Sequence, residues 1–128
     1  MKTKEITVLM VEPGKYPVVT TLKNDLDSLQ KAVSIGAESQ GLIEIIGLEK
    51  GVCLLCNEEG KILGLKGNRR IGKDIIAGVF YIIGENDEGD LVSLSRDKIG
   101  QYKERFWEIE EYSTTDAEEA MLLRFFYI

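Results

Sequence analysis

The chain has 128 residues, 22 acidic and 16 basic side chains, a formal net charge of −6, no histidine, two cysteines and one tryptophan. Without histidine there is no Ser-His-Asp triad, no Cys-His dyad, no imidazole base and no histidine-bearing zinc site, and the acidic balance offers no electrostatic footprint for a phosphate backbone. A length near the commonest domain size, with 44% hydrophobic and 30% charged residues, fits one globular domain with its own core rather than a disordered chain.

The opening residues Met1-Lys2-Thr3-Lys4-Glu5 lead into an apolar, β-branched run rather than a signal-type segment, and no run approaches the roughly 18 apolar residues of a membrane span. A cytoplasmic protein without membrane contact is therefore expected. Residues 5–11 are almost continuously apolar, which suits a central strand covered on both faces. Pro13-Gly14 signals a turn, and residues 17–22 read as the second strand of a hairpin, with Pro17 at its first position. Asn24 is the expected N-cap of a helix with Asp25 and Asp27 in its first turn, and Leu26, Leu29, Ala32 and Val33 form its apolar face.

After a loop over 36–41, residues 42–46 and 52–56 read as a second hairpin across the Gly47-Leu48-Glu49-Lys50-Gly51 connection. Ile62, Leu63 and Leu65 suggest a short strand, and residues 67–73 a polar loop. Residues 78–84 form the second strongly β-branched and aromatic run, with 91–94 as hairpin partner. Ser95 is the expected cap of a helix that buries Ile99, Tyr102, Phe106 and Trp107, and Thr115 of a last helix ending in Phe125-Phe126-Tyr127-Ile128. Strands cluster and helices segregate, so the predicted fold is α+β: one domain, a mainly antiparallel sheet of hairpins, one helix in the N-terminal half and helices at the C-terminal end.

Cys53-Leu54-Leu55-Cys56 has C-x-x-C spacing, but in a strand its two sulfurs point to opposite faces, and the chain holds no other cysteine or histidine to complete a zinc site. The expectation is two reduced, buried thiols, with no cofactor and no metal. Val11-Glu12-Pro13-Gly14-Lys15 and Asn57-Glu58-Glu59-Gly60-Lys61 are both acidic turns closing on Gly-Lys after a strand. They lack the first glycine and the hydroxyl of a P-loop and precede no helix, so they are expected as turns in which glycine supplies a positive φ and Lys and Glu are solvated; the alternative is that they sit at one sheet end and together frame a small-ligand or partner site. Glu58 and Glu59 are adjacent in a turn and splay apart, which argues against a catalytic carboxylate pair.

Asn68-Arg69-Arg70 is the local basic focus between glycines, suited to an anion or an acidic partner surface; as loop charge it is expected in solvent. Glu108, Glu110, Glu111, Asp116, Glu118 and Glu119 gather near the C-terminus, as a solvated helix face or as a surface that imitates a nucleic-acid backbone. The tail over 122–128 is too apolar for water and is expected to dock on the sheet or to form a homodimer contact.

The ordered series Val11-Glu12-Pro13-Gly14-Lys15 with Pro17, Asn24, Leu26, Leu29-Gln30, Ile43-Glu44, Cys56-Asn57-Glu58-Glu59-Gly60-Lys61, Asn68-Arg69, Gly78 and Ser93-Leu94 resembles the DUF3846 family, over residues 6–106, leaving 107–128 as an acidic and aromatic extension. The chain departs from the family's short Val-Gly-Gly link by carrying residues 34–41. The resemblance implies a product of a bacteriophage or mobile element of Gram-positive bacteria and supplies no catalytic residues. The leading expectation is a small non-enzymatic accessory protein that binds a host protein, with Glu12, Lys15, Asn57, Glu58, Glu59, Lys61, Asn68, Arg69 and Arg70 at the contact surface. The alternatives are a protein that sequesters a nucleotide or another small anionic ligand, and a carboxylate-dependent hydrolase. Direct nucleic-acid binding is not expected.

Overall fold

The computed structural model describes residues 4–113 and residue 116. The chain runs β1 (Glu5–Val11), β2 (Val18–Lys23), α1 (Leu26–Val33), β3 (Ile43–Glu49), β4 (Val52–Asn57), β5 (Gly67–Ile71), β6 (Asp74–Ala77), β7 (Phe80–Glu85), β8 (Leu91–Val92) and α2 (Arg96–Arg105). The main sheet has the order β2-β1-β7-β4-β3, all antiparallel, with the short β8 also on β7; β5 and β6 form a separate hairpin. This is the α+β architecture that the sequence predicts.

The central strands are apolar on both sides because a helix covers each face of the sheet. Along β1, Ile6 and Val8 face α1, where they pack with Leu29, Val33, Tyr81 and Ile83; Leu9 and Val11 face α2, with Phe80, Ile82, Tyr102 and Phe106. The period of two in a pleated strand converts a continuous apolar run into two separate cores. The edge strands have only one buried side or none, and Val18, Val19 and Ile45 stand in solvent.

Several local expectations are corrected. Asp25, not Asn24, caps α1: its Oδ1 accepts from the Ser28 amide at 2.8 Å, and this bond holds the carboxyl below its ordinary pKa. Asn24 instead donates from Nδ2 to Leu91 O, tying the end of β2 to β8. The connection over 47–51 shrinks to a tight turn at Lys50 and Gly51, since β3 continues through a bulge between Gly47 and Glu49. Ile62, Leu63 and Leu65 form no strand. The chain winds through successive turns there, with the Leu63 amide donating to Glu59 O and the Leu65 amide to Gly60 O, and a side chain at Gly60 would meet Ala77 O at 2.6 Å. The predicted loop over 67–73 is mostly the β5 strand and its turn, in which Asn68 and Arg69 point inward.

Ser95 does cap α2, accepting from the Lys98 amide, but the helix ends at Arg105 and leaves Trp107 about half exposed, at 47%. At the far end Glu49 fastens α2 to β3, with Lys98 Nζ at 2.6 Å and the Tyr102 hydroxyl donating to it at 2.5 Å. The last predicted helix, its Thr115 cap, Glu118, Glu119 and the tail over 122–128 lie outside the described residues.

Ile82 is fully buried and sits in register between Leu9 and Leu54. Ile82→Ala is expected to lower the unfolding free energy by about 2–5 kcal/mol, against under about 1 kcal/mol for Val19→Ala on the exposed edge. Urea denaturation measures both, and equal losses would contradict this assignment of core and edge.

Candidate functional site

β1 and β4 finish at the same end of the sheet at which β2, β3 and β7 begin, as the register Val11↔Phe80 and Ile43↔Asn57 requires. The 12–15 turn, the 57–61 turn and the β5 strand are therefore gathered at one end. They do not all play the same part there.

Asn68 and Arg69 are completely buried. Asn68 Nδ2 donates to Val11 O at 2.8 Å and Gly78 O at 2.9 Å, while its Oδ1 accepts from Arg69 Nη1 at 2.8 Å. Arg69 donates from Nε and Nη2 to Phe106 O at 3.1 and 3.0 Å, and from Nη2 to Lys15 O at 2.9 Å. Phe106 is the C-cap of α2, so the guanidinium satisfies a terminal carbonyl and meets the negative end of the helix dipole. Burial pushes its pKa down, opposed by the charges of Glu110 and Tyr112. The expectation of solvated loop charge thus fails for Asn68 and Arg69, because the bulge between Gly67 and Arg69 turns them into the core. Arg70 alone faces outward, with its guanidinium over the Tyr112 ring at 5.6 Å and its amide donating to Glu110 Oε1.

The two carbonyls that Arg69 holds belong to the residues immediately before Tyr16 and Trp107. These rings stack at 4.4 Å between centroids with an interplanar angle of 22°, and both remain about half exposed, at 52% and 47%. Sequence reading misses this platform, since a tyrosine in one turn and a tryptophan after a distant helix carry no shared pattern. Lys15, beside it, is solvent-facing and pairs with Glu12 at 3.5 Å.

The 57–61 turn belongs to a different feature, a hollow of about 490 Å³. Asn57 is buried beneath it, accepting from the Glu59 amide at 2.8 Å and donating to Val33 O. Glu58 and Glu59 are exposed at its rim with Leu42 and Ile62; Cys56, Ile76 and Ala77 are buried beneath. Lys61 pairs with Asp74 at 2.7 Å, both largely shielded from water. Neither the 12–15 turn nor residues 68–70 contribute to this hollow. Leu42, Glu44 and Ile62, which the sequence reading places in strands and not at a site, do.

The cysteines lie on opposite faces of β4, Cys56 toward α2 and Cys53 toward α1, as the strand reading requires. Burial pushes the Cys53 thiol to about 11, and burial with the neighbouring Glu44 carboxylate pushes Cys56 to about 12. Among the described residues no group of three or more His, Cys, Asp or Glu side chains could hold a metal ion. No helix among them is long and apolar enough to cross a membrane. Of the acidic C-terminal run, Glu108, Glu110 and Glu111 fall outside any helix, with Glu110 on the Arg70 amide and the Tyr112 hydroxyl and Glu111 beside Lys66.

The fold is a small three-layer α+β domain that gathers the 12–15 turn, the 57–61 turn and the exposed Tyr16–Trp107 stack at one sheet end. The chain belongs to the family described as a domain of unknown function, DUF3846, whose model matches residues 6–107. No curated protein and no solved structure matches it.

Arg69→Met removes the donors to Phe106 O and Asn68 Oδ1, both buried, and to the part-buried Lys15 O, and is expected to cost about 3 kcal/mol. Trp107, the only tryptophan, should report the loosened stack as a red-shifted emission. An unfolding midpoint and spectrum like the parent's would contradict the structural role of Arg69. For the thiols, each folded-state pKa lies above the ordinary 9.0, so their contribution to stability is complete below about pH 9 and is lost as pH rises toward 11–12. Native protein at pH 8 should resist a thiol reagent that labels both cysteines in urea; rapid native labelling would refute their burial.

Proposed function

We propose that this chain is a non-enzymatic accessory protein of a phage or mobile element that works by binding a host protein, of a kind involved in host defence, through the loop-bearing end of its sheet. The observation that carries the reading is the exposed Tyr16–Trp107 stack, held by the buried Arg69. Tyrosine and tryptophan dominate binding energy at protein interfaces, and a platform fixed before contact loses little entropy on association. The neighbouring turns supply the polar rim that such interfaces carry.

The alternatives draw less support from the geometry. A site for a small anion built on Arg69 would have to break its bonds to Phe106 and Lys15. A carboxylate general acid needs a raised pKa, whereas the shifted carboxyls among the described residues, Asp25, Asp27, Glu49 and Asp116, are all lowered by their hydrogen bonds. The net charge of −6 also disfavours direct contact with nucleic acid.

Affinity capture from the cytoplasm of a Gram-positive host tests the reading, with native mass measured on the eluate. The parent protein should retain a defined host protein at fixed stoichiometry. Tyr16→Ala combined with Trp107→Ala, two exposed positions, should reduce capture at least about tenfold while the unfolding midpoint holds. A parent eluate containing only a bound metabolite, or only a homodimer, would overturn it.

A further inference from the structure

The main sheet ends in β2 on one side and β3 on the other, and the two edges are built differently. β3 carries a bulge between Gly47 and Glu49 and two glutamates, Glu44 and Glu49, the second of them held by Lys98 and Tyr102 of α2. Bulges and charges are the devices by which edge strands avoid further pairing. β2 lacks a bulge: its register with β1 runs unbroken from Lys23↔Glu5 to Val18↔Met10. Val18-Val19-Thr20-Thr21-Leu22 is β-branched or apolar throughout, and the strand's one charge is Lys23 at its end.

Hydrogen bonds on β1 fix which way the backbone of β2 points. Thr7 uses both its groups on the side away from β2, its N–H donating to Ser93 Oγ at 2.9 Å and its carbonyl accepting from the Leu94 amide at 2.8 Å. Thr7↔Thr21 is therefore a non-hydrogen-bonded pair of the antiparallel ladder, and the Asn24 amide, donating to Lys4 O at 2.8 Å, keeps the same alternation. The N–H and C=O groups of Val19, Thr21 and Lys23 consequently point outward. All three residues are exposed, and among the described residues no strand pairs with them.

A row of alternating outward donors and acceptors is satisfied by another extended strand, and this row is complementary to itself. In a two-fold antiparallel pairing centred on Thr21, Thr21 faces Thr21 of the second copy and Val19 faces its Lys23, with two N–H···O=C bonds in each facing pair. We propose that β2 joins two copies of this chain, so that their main sheets continue into one across a two-fold axis at Thr21. Threonine pairs well with threonine across strands, and the aliphatic stem of Lys23 lies along Val19 of the second copy. The half-exposed Val18 comes beside Asn24 of the second copy, next to the strand end from which its exposed Leu26 follows. Such a contact uses the same patch on both copies and closes, while the guarded β3 edge prevents growth beyond two. The inference goes beyond the protein-binding reading and does not rest on it. Its consequence there is a dimer with two Tyr16–Trp107 stacks at opposite ends of the paired strands, roughly 35 Å apart at about 3.4 Å per residue.

The test is sedimentation velocity of the full chain over a concentration series, with backbone hydrogen exchange followed alongside. The parent should pass from the mass of one chain to that of two as concentration rises, and exchange at Val19, Thr21 and Lys23 should slow with it. Thr21→Pro removes an outward N–H and none that bonds β1, so it should weaken association at least about tenfold while the unfolding midpoint holds. Val19→Lys sets like charges opposite each other and should weaken association about fivefold, whereas Val19→Glu, facing Lys23 of the second copy, should associate at least as tightly as the parent. A chain monomeric at every concentration, or a dimer indifferent to Thr21→Pro, would overturn the proposal. So would equal losses from the two Val19 variants, or amides at 19, 21 and 23 already protected in the monomer.

Discussion

The guanidinium of Arg69, fully buried, joins three parts of the chain by hydrogen bonds: the C-terminus of α2 through Phe106 O, the first turn through Lys15 O, and, through Asn68, the end of β1 and Gly78 just before β7. Burying a charge is costly, and among the described residues no carboxylate forms an ion pair with it; four hydrogen bonds to oxygen and the negative end of a helix offset the lost hydration. A lysine could not substitute, because its single nitrogen cannot reach the same divergent acceptors in one plane. The position of α2, and with it closure of one core, is coupled through this group to the geometry of the exposed loops.

That coupling is what makes the exposed aromatic pair a credible contact surface. Tyr16 and Trp107 each follow directly on a carbonyl that Arg69 holds, so their stacking is inherited from the interior. The sheet itself has its two faces filled by α1 and α2, which confines binding chemistry to its ends and edges. The C-x-x-C pair illustrates the same division: the spacing resembles a redox motif, but the strand sends one thiol into each core and burial holds both protonated.

Where one physical signal dominates, the sequence is a sound guide to this fold. The β-branched runs of β1 and β7, the two-core pattern of β4 and the amphipathic α1 are all legible because burial writes directly onto period and composition. The β5–β6 hairpin is not, since Asn68 and Arg69 look solvated by composition and are inward only because a bulge and partners distant in sequence demand it. Asn24 and Asp25 are both good caps, and the choice between them rests on which side chain Leu91 O claims. The 57–61 turn is legible as a turn from its residue types, while the hollow it borders depends on Leu42, Glu44 and Ile62, supplied by other segments. Trp107 is read as core by helical spacing and lies outside it because α2 stops one residue before Phe106.

The most direct measurement of the central interaction is the ¹⁵N NMR spectrum of the Arg69 side chain at neutral pH. The account predicts an Nε–H resonance protected from solvent exchange and Nη groups whose rotation is slowed by their bonds to Phe106, Lys15 and Asn68. An Arg69 signal exchanging and averaging as fast as that of the exposed Arg70 or Arg96 would contradict it.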